Sequence, residues 1–241
     1  MSGIDFSALS ERGLRPRNDD AFCAERIGKY FVFAVADGLA GHAYGDIASK
    51  TAIDALKGAV KNTGGPARDA IMEGVRNAEA EIRALSQQSP EHAGLATKLV
   101  ACLIDEKMQC TVLDVGDRNC HVIAGSTIEH AGTAAKSRRP PGSTPAPYAD
   151  PKPPSLADMV AHVLGEPHRM KESDFSRFVL RDEYLLLSSD GMTDVLSEDA
   201  IAGIVRKTDG NLEVACEKLV QEAMQAGSES TITVVLAHVK G

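Results

Sequence analysis

The sequence predicts an α+β fold in which antiparallel sheets carry helices on their outer faces. Three observations predict it. Apolar runs of strand length come in adjacent groups, with short turns between members of a group. Amphipathic segments of helical period come in pairs, at 43–60 and 67–88 and again at 198–206 and 211–226. Strand and helix do not alternate one by one, as a doubly wound parallel sheet would require.

Residues 5–9 and 20–25 read as strands, and YFVFAVA at 30–36 as a buried one. The helix at 67–88 closes before Ser89-Pro90, because a proline drives the residue ahead of it out of helical geometry. LVACLID (99–105), CTVLDV (110–115) and CHVIAG (120–125) predict a meander of strands joined by short turns. Residues 132–154, GTAAKSRRPPGSTPAPYADPKPP, are rich in Pro, Ser and Ala and read as an exposed loop, long enough to be functional or to link domains. The residues beyond 154 do not begin a self-contained domain, which favours one domain. Further helices are expected at 156–164, 198–206 and 211–226, and strands at 174–180, 183–188 and 231–239.

Composition then excludes several functions. The chain has 241 residues, 43% hydrophobic and 25% charged, enough for one substantial core. Aromatic residues make up 4% and Trp is absent, which argues against a base-stacking surface. A balance of 26 basic against 34 acidic residues disfavours nucleic acid and anionic lipid as partners. No stretch approaches the roughly 20 apolar residues that span a bilayer, and no basic start precedes an apolar run. The five cysteines, at 23, 102, 110, 120 and 216, give neither a CxxC pair nor a disulfide framework. They read as small buried thiols, and a cytoplasmic setting is expected.

The chemistry concentrates where apolar strands end in carboxylates. YFVFAVA runs into Asp37-Gly38, YLLLSS into Asp190-Gly191, and TVLDV into Gly116-Asp117. Each alone is a common turn dipeptide. Together they can gather carboxylates at one sheet edge, as hard divalent cations require. Arg15-Pro16-Arg17-Asn18-Asp19-Asp20 is either a solvated charged loop or a guanidinium set beside two acids, a combination suited to phosphate and metal.

These segments resemble the metal-dependent serine/threonine protein phosphatases, the PPM or type 2C family, in its bacterial branch. RPRNDD resembles R-x-x-N-[ED]-D, and VADGLAGHAYGDIAS (35–49) resembles V-x-D-G-M-G-G-H-x-x-G-x-x-A-S. LDVGDRN (113–119) is similar to the v-G-D-S-R element, and LLLSSDGMTDVLS (185–197) to L-L-x-S-D-G-L-x-D-x-l. AHVLG (161–165) and STITVV (230–235) match weaker late elements, so the matches run in order from residue 6 to 239.

The resemblance implies a four-layer α-β-β-α sandwich of two antiparallel sheets flanked by helices, a single domain over 1–241 with a flap-like loop at about 131–155. It implies Mn²⁺ or Mg²⁺, with two ions bridged by Asp37 and a third held more weakly by Asp117 and Asp190. Gly38 would offer its carbonyl, Asp190 would bind one ion, and Asp19 would contribute from the first motif with Asp20 behind it. Arg15 would grip the substrate phosphate. His42 would protonate the leaving seryl or threonyl oxygen, or is instead a surface or N-capping histidine. Two such ions can bring the pKa of a water between them toward neutrality and clamp the phosphoryl oxygens. Phosphorylated proteins and a cognate serine/threonine kinase are the implied partners, and a monomer the implied state.

The chain also departs from the family pattern. Ser230-Thr231 stands where Asp-Asn precedes the final strand, so a neutral hydroxyl replaces a metal-binding carboxylate. Glu229 is adjacent and could compensate, although alternation points strand neighbours to opposite faces. Arg118-Asn119 replaces Ser-Arg, Lys98 lies where the second Thr of G-T-T would be, and the D-H-S text after 130 is missing. Two functions therefore compete: a metal-dependent phosphoserine/phosphothreonine hydrolase, and a phosphatase-like module that binds a phosphoprotein or kinase with weak turnover or none. Retention of Asp19, Asp37, Asp117 and Asp190 favours the enzyme, since clustered acids repel one another and are costly to keep.

Overall fold

The computed structural model describes residues 3–39, 44–115, 119–131, 163–165 and 175–240. Among them are ten strands: β1 (Ile4–Glu11), β2 (Asp20–Ile27), β3 (Tyr30–Gly38), β4 (Thr97–Ile104), β5 (Gln109–Val115), β6 (Cys120–Ala124), β7 (Thr127–His130), β8 (Phe175–Val179), β9 (Glu183–Ser188) and β10 (Ile232–Val239). They form two five-stranded sheets, ordered β2-β3-β4-β5-β8 and β1-β10-β9-β6-β7. Every pairing is antiparallel.

Period-two alternation divides the apolar residues among three layers of core. On β3, Val32, Ala34 and Ala36 pack outward against helices α1 (Gly45–Asn62) and α2 (Ala67–Gln88), together with Leu56, Ile71 and Val75. Phe33 and Val35 point the other way, between the sheets, to meet Leu185 and Leu187 of β9 and Val235 of β10. The opposite face of the second sheet carries Leu186, Val234 and Leu236, covered by α4 (Glu198–Arg206) and α5 (Leu212–Gln225). Between β9 and α4 lies a single turn, α3 (Asp190–Thr193). The result is the four-layer sandwich expected, and β3 is buried on both faces because both carry apolar residues.

Helix boundaries follow local chemistry. Ser197 Oγ accepts the Ala200 amide at the start of α4, and Asn211 Oδ1 accepts that of Val214 at the start of α5. At α1 the N-cap position falls to Tyr44, which makes no side-chain cap; His42 lies outside the described residues.

Two expectations need correction. The strands at 99–105, 110–115 and 120–125 are not one meander: β4 and β5 pair, whereas β6 joins the other sheet against β9 and β7. Cys120 and Val122 thereby fill the layer between the sheets. The helix expected at 156–164 does not reach its end, because Leu164 bridges Thr97, with both amide–carbonyl bonds formed; residues 156–162 lie outside the described residues. Strand β7, the turn α3 and a 3-10 turn at Pro90–His92 were not anticipated. The segment 132–154 also lies outside the described residues.

Candidate functional site

The same alternation that builds the core also builds a polar end to it. Phe33 and Val35 on β3 face the second sheet, and the next side chain of that face, two residues on, is Asp37. On β4, Val100, Cys102 and Ile104 share that face, which continues to Lys98; on β5, Cys110 and Val112 continue to Asp114. Asp37 has Asp20 as its Cα partner on β2 and Lys98 on β4. A line of charged residues thus closes the apolar layer between the sheets.

Asp190 reaches this place from the other sheet. It starts α3 directly after β9, and its amide points at Asp37 Oδ2 across 3.5 Å. Its carboxylate has partners on both oxygens. Lys98 Nζ pairs with Oδ2, and Asn119 Nδ2 donates to Oδ1 at 2.7 Å. Asn119 Oδ1 in turn accepts from Thr193 Oγ1 at 3.2 Å, which fixes the amide's orientation. Gly191 permits the turn because a Cβ there would lie 2.0 Å from the Thr231 carbonyl oxygen. Gly38 is equally constrained: a Cβ would meet the carbonyl oxygens of Gly45 at 2.3 Å and Asp19 at 2.7 Å.

Asp20 is held from β10 and the segment before it. Thr231 Oγ1 donates to Oδ1 at 2.8 Å and Thr233 Oγ1 to Oδ2 at 2.6 Å. Asn18 Oδ1 accepts the Asp20 amide at 3.0 Å, while its Nδ2 donates to Ser10 Oγ at 2.8 Å. Burial raises the Asp20 pKa against the lowering effect of these hydroxyls. Asp37 is pushed well above the usual carboxylate range, first by burial and then by the charges of Asp20 and Asp190, with Lys98 opposing. Asp19 is also raised, by burial and by Asp46, against Arg17, which lies 3.4 Å from Asp46.

Arg15 is half-buried and donates from Nη2 to Ser230 Oγ at 3.4 Å. Glu229 is exposed. His42 and Asp117 lie outside the described residues. The structure therefore brings together Asp20, Asp37 and Asp190, with Gly38 bonded through its amide to the Asp19 carbonyl at 3.1 Å and Arg15 bonded to Ser230. Lys98 and Asn119 were noted in the sequence only as departures from a pattern. Thr231 likewise appeared only as a departure, and Asp46 and Thr233 were missed, although Thr-x-Thr at strand spacing places two hydroxyls on one face.

The donor set suits a hard divalent cation beside Asp37. Burial and the charges of Asp20 and Asp190 bear on that carboxylate, with Lys98 opposing them, and Asp19 and the Gly38 carbonyl are the further oxygen donors that could serve such an ion. Asp190 is less available, with Lys98 and Asn119 on its oxygens. Among the described residues no three His, Cys, Asp or Glu side chains converge on one ion position. No helix of the described residues is long and apolar enough to cross a membrane. All five cysteines are buried free thiols, and burial pushes Cys23 up to about 12 and Cys216 to about 11.

The Protein phosphatase 2C family model matches residues 151–232. The chain is 26% identical over 217 residues to the serine/threonine phosphatase stp of Listeria monocytogenes serotype 4b (strain F2365), covering 86% of this chain and 84% of that one. It is 26% identical over 242 residues to the serine/threonine protein phosphatase PstP of Mycobacterium tuberculosis (strain CDC 1551 / Oshkosh), covering 98% of this chain but 45% of the relative, about half its length. The crystal structure of the PstP catalytic domain in complex with two manganese ions superposes with a TM-score of 0.78 at 21% identity, covering all of both chains.

Proposed function

Because the chain belongs to the protein phosphatase 2C family, in its bacterial branch, we propose that it is a metal-dependent phosphatase that hydrolyses phosphoserine and phosphothreonine in proteins. The observation that carries this reading is the meeting of Asp37 and Asp190, from the ends of strands in different sheets, with the Asp190 amide 3.5 Å from Asp37 Oδ2. Acids are brought together in this way, against their mutual repulsion, where a cation is to be bound.

Mn²⁺ or Mg²⁺ is the cofactor of this reading, with Asp37, Asp19 and the Gly38 carbonyl as its holders, and manganese is supported by the metal in the PstP catalytic domain. When bound, such an ion supplies Lewis acidity toward a phosphoryl oxygen and makes water a better nucleophile. The chain's own residues do the rest. Arg15 presents a planar fork of donors at the rim, matched to two phosphate oxygens, and Ser230 Oγ holds one arm of that fork. Asp20, fixed by Thr231 and Thr233, supports Asp37 from behind and keeps its carboxyl in place.

In the reaction, a water oxygen bonds to phosphorus as the bond to the seryl or threonyl oxygen breaks. The departing oxygen takes a proton, for which His42 is the proposed donor, its ordinary pKa of about 6.5 being suited to neutral pH. The proposed partners are phosphoproteins and a serine/threonine kinase acting on the same targets.

The test is release of inorganic phosphate from a phosphothreonine peptide and from p-nitrophenyl phosphate. The full chain should release it with Mn²⁺, lose activity on chelation, and lose about 100-fold or more with Asp37→Asn. No release from several phosphopeptides at saturating Mn²⁺ would overturn the enzyme in favour of a binding module.

A further inference from the structure

Lys98 stands where an ammonium group is least expected in a site built for divalent cations. It is the Cα partner of Asp37 on β4, it continues the inward face of Val100 and Cys102, and its Nζ bonds the Asp190 carboxylate. The pair is largely enclosed, with side chains 21% and 22% exposed. Asn119 completes the arrangement on the other Asp190 oxygen at 2.7 Å, its orientation fixed by Thr193. Both oxygens of Asp190 thus already face groups that bond as a cation would.

A second position points the same way. Ser230, at the start of the segment that leads into β10, offers a neutral hydroxyl, and that hydroxyl is bonded to Arg15 at 3.4 Å. Lysine at 98 adds one positive charge, and serine at 230 gives up the negative charge that the matching motif carries there. Together these differences shift the local charge by two units, the charge of one divalent ion.

We propose that the Lys98 ammonium takes the place of one of two cations, so that the site holds a single divalent ion on the Asp37, Asp19 and Gly38 side. This rests on the phosphatase reading and deepens it. A second divalent ion on Asp190 would stand within bonding distance of a fixed ammonium, and like charges that close in a poorly hydrated crevice repel strongly. Lys98 is a positioning residue: it acts by fixing Asp190 and by keeping that side of the crevice positive. An ammonium can neutralise charge and donate hydrogen bonds, but it has no vacant coordination position with which to activate water.

The experiment counts ions. Metal-free full-length protein is titrated with Mn²⁺ by calorimetry, in the natural sequence, in Lys98→Met and in Lys98→Met/Ser230→Asp. The natural sequence should take one ion. The double variant should take two, its second ion bound at least 10-fold more tightly than any second ion in the natural sequence. Lys98→Thr/Ser230→Asp replaces the double variant if methionine does not fold. Two tight ions in the natural sequence, or one ion in a folded double variant, would overturn the proposal. Phosphate release measured in parallel separates the two levels. Turnover with two tight ions removes the Lys98 inference and leaves the phosphatase; one ion without turnover removes the phosphatase and upholds Lys98 in its place.

Discussion

Asp37 and Asp20 face one another as partners across the β2–β3 ladder, and the chain treats the two carboxylates in opposite ways. Asp20 has a threonine hydroxyl on each oxygen, at 2.8 Å and 2.6 Å. Asp37 has no hydroxyl on it among the described residues: the Asp190 amide approaches at 3.5 Å, and the negative charges of Asp20 and Asp190 raise its pKa against the positive charge of Lys98. One acid is anchored, and the other is the one we propose as the metal ligand.

The anchor can be tested through Thr233, which also bonds Ser10 Oγ at 2.7 Å. Thr233→Val keeps the shape and removes the hydroxyl. Leaving an Asp20 oxygen without its donor should destabilise the fold by about 1–3 kcal/mol. Chemical denaturation checks this, and the loss should shrink when Asp20 is also changed to Asn.

The open acid predicts a pH effect of definite sign. A carboxyl whose folded pKa is raised above its ordinary value contributes stability below that ordinary value, and this stability is lost as pH rises through the folded pKa. In metal-free protein Asp37 should therefore become a liability as pH climbs from about 4 toward neutrality. Asp37→Asn should melt higher than the natural sequence at pH 7 without metal, and saturating Mn²⁺ should reverse the order. Thermal melts with and without chelator decide it.

Gly191 predicts a steric penalty rather than an electrostatic one. A methyl at this position would lie 2.0 Å from the Thr231 carbonyl oxygen, a backbone atom that cannot swing aside. Gly191→Ala should cost about 3 kcal/mol or more. It should also move Asp190, so metal affinity should fall with stability. An alanine variant with unchanged melting and unchanged Mn²⁺ titration would place the backbone differently.

His121 carries a second pH signature. Burial, and then His130 beside it at 5.9 Å, lower its pKa to about 4 against the opposing charge of Asp114, and the exposed Glu198 at 3.9 Å is too well solvated to restore the charge. A neutral histidine in the fold gives stability that is full above about pH 6.5 and lost as pH falls toward 4. The loss should reach about 3 kcal/mol over that interval and be absent from His121→Leu. Denaturation curves at pH 7 and pH 4.5 measure the difference.

Much of this architecture was legible in the amino-acid order. Helix α2 and helix α4 fall on the segments that periodicity marked, and β3 on the longest apolar run. The switch of β6 into the second sheet was not legible. Alternation shows which face of a strand is apolar, and it does not say which sheet the strand joins. The four-residue elements β7 and α3 are too short for any period to register. At the site, Asp37 and Asp190 stood out because each ends an apolar run. The Lys98–Asp190 pair did not, because its members are 92 residues apart and only the packing of one sheet on the other makes them neighbours.

The most direct measurement is an anomalous difference map from crystals of the full chain grown with Mn²⁺. A manganese peak in contact with the Asp37 carboxylate is the predicted result. An intact, well-ordered Asp37 with no manganese against it at saturating concentration would contradict the assignment.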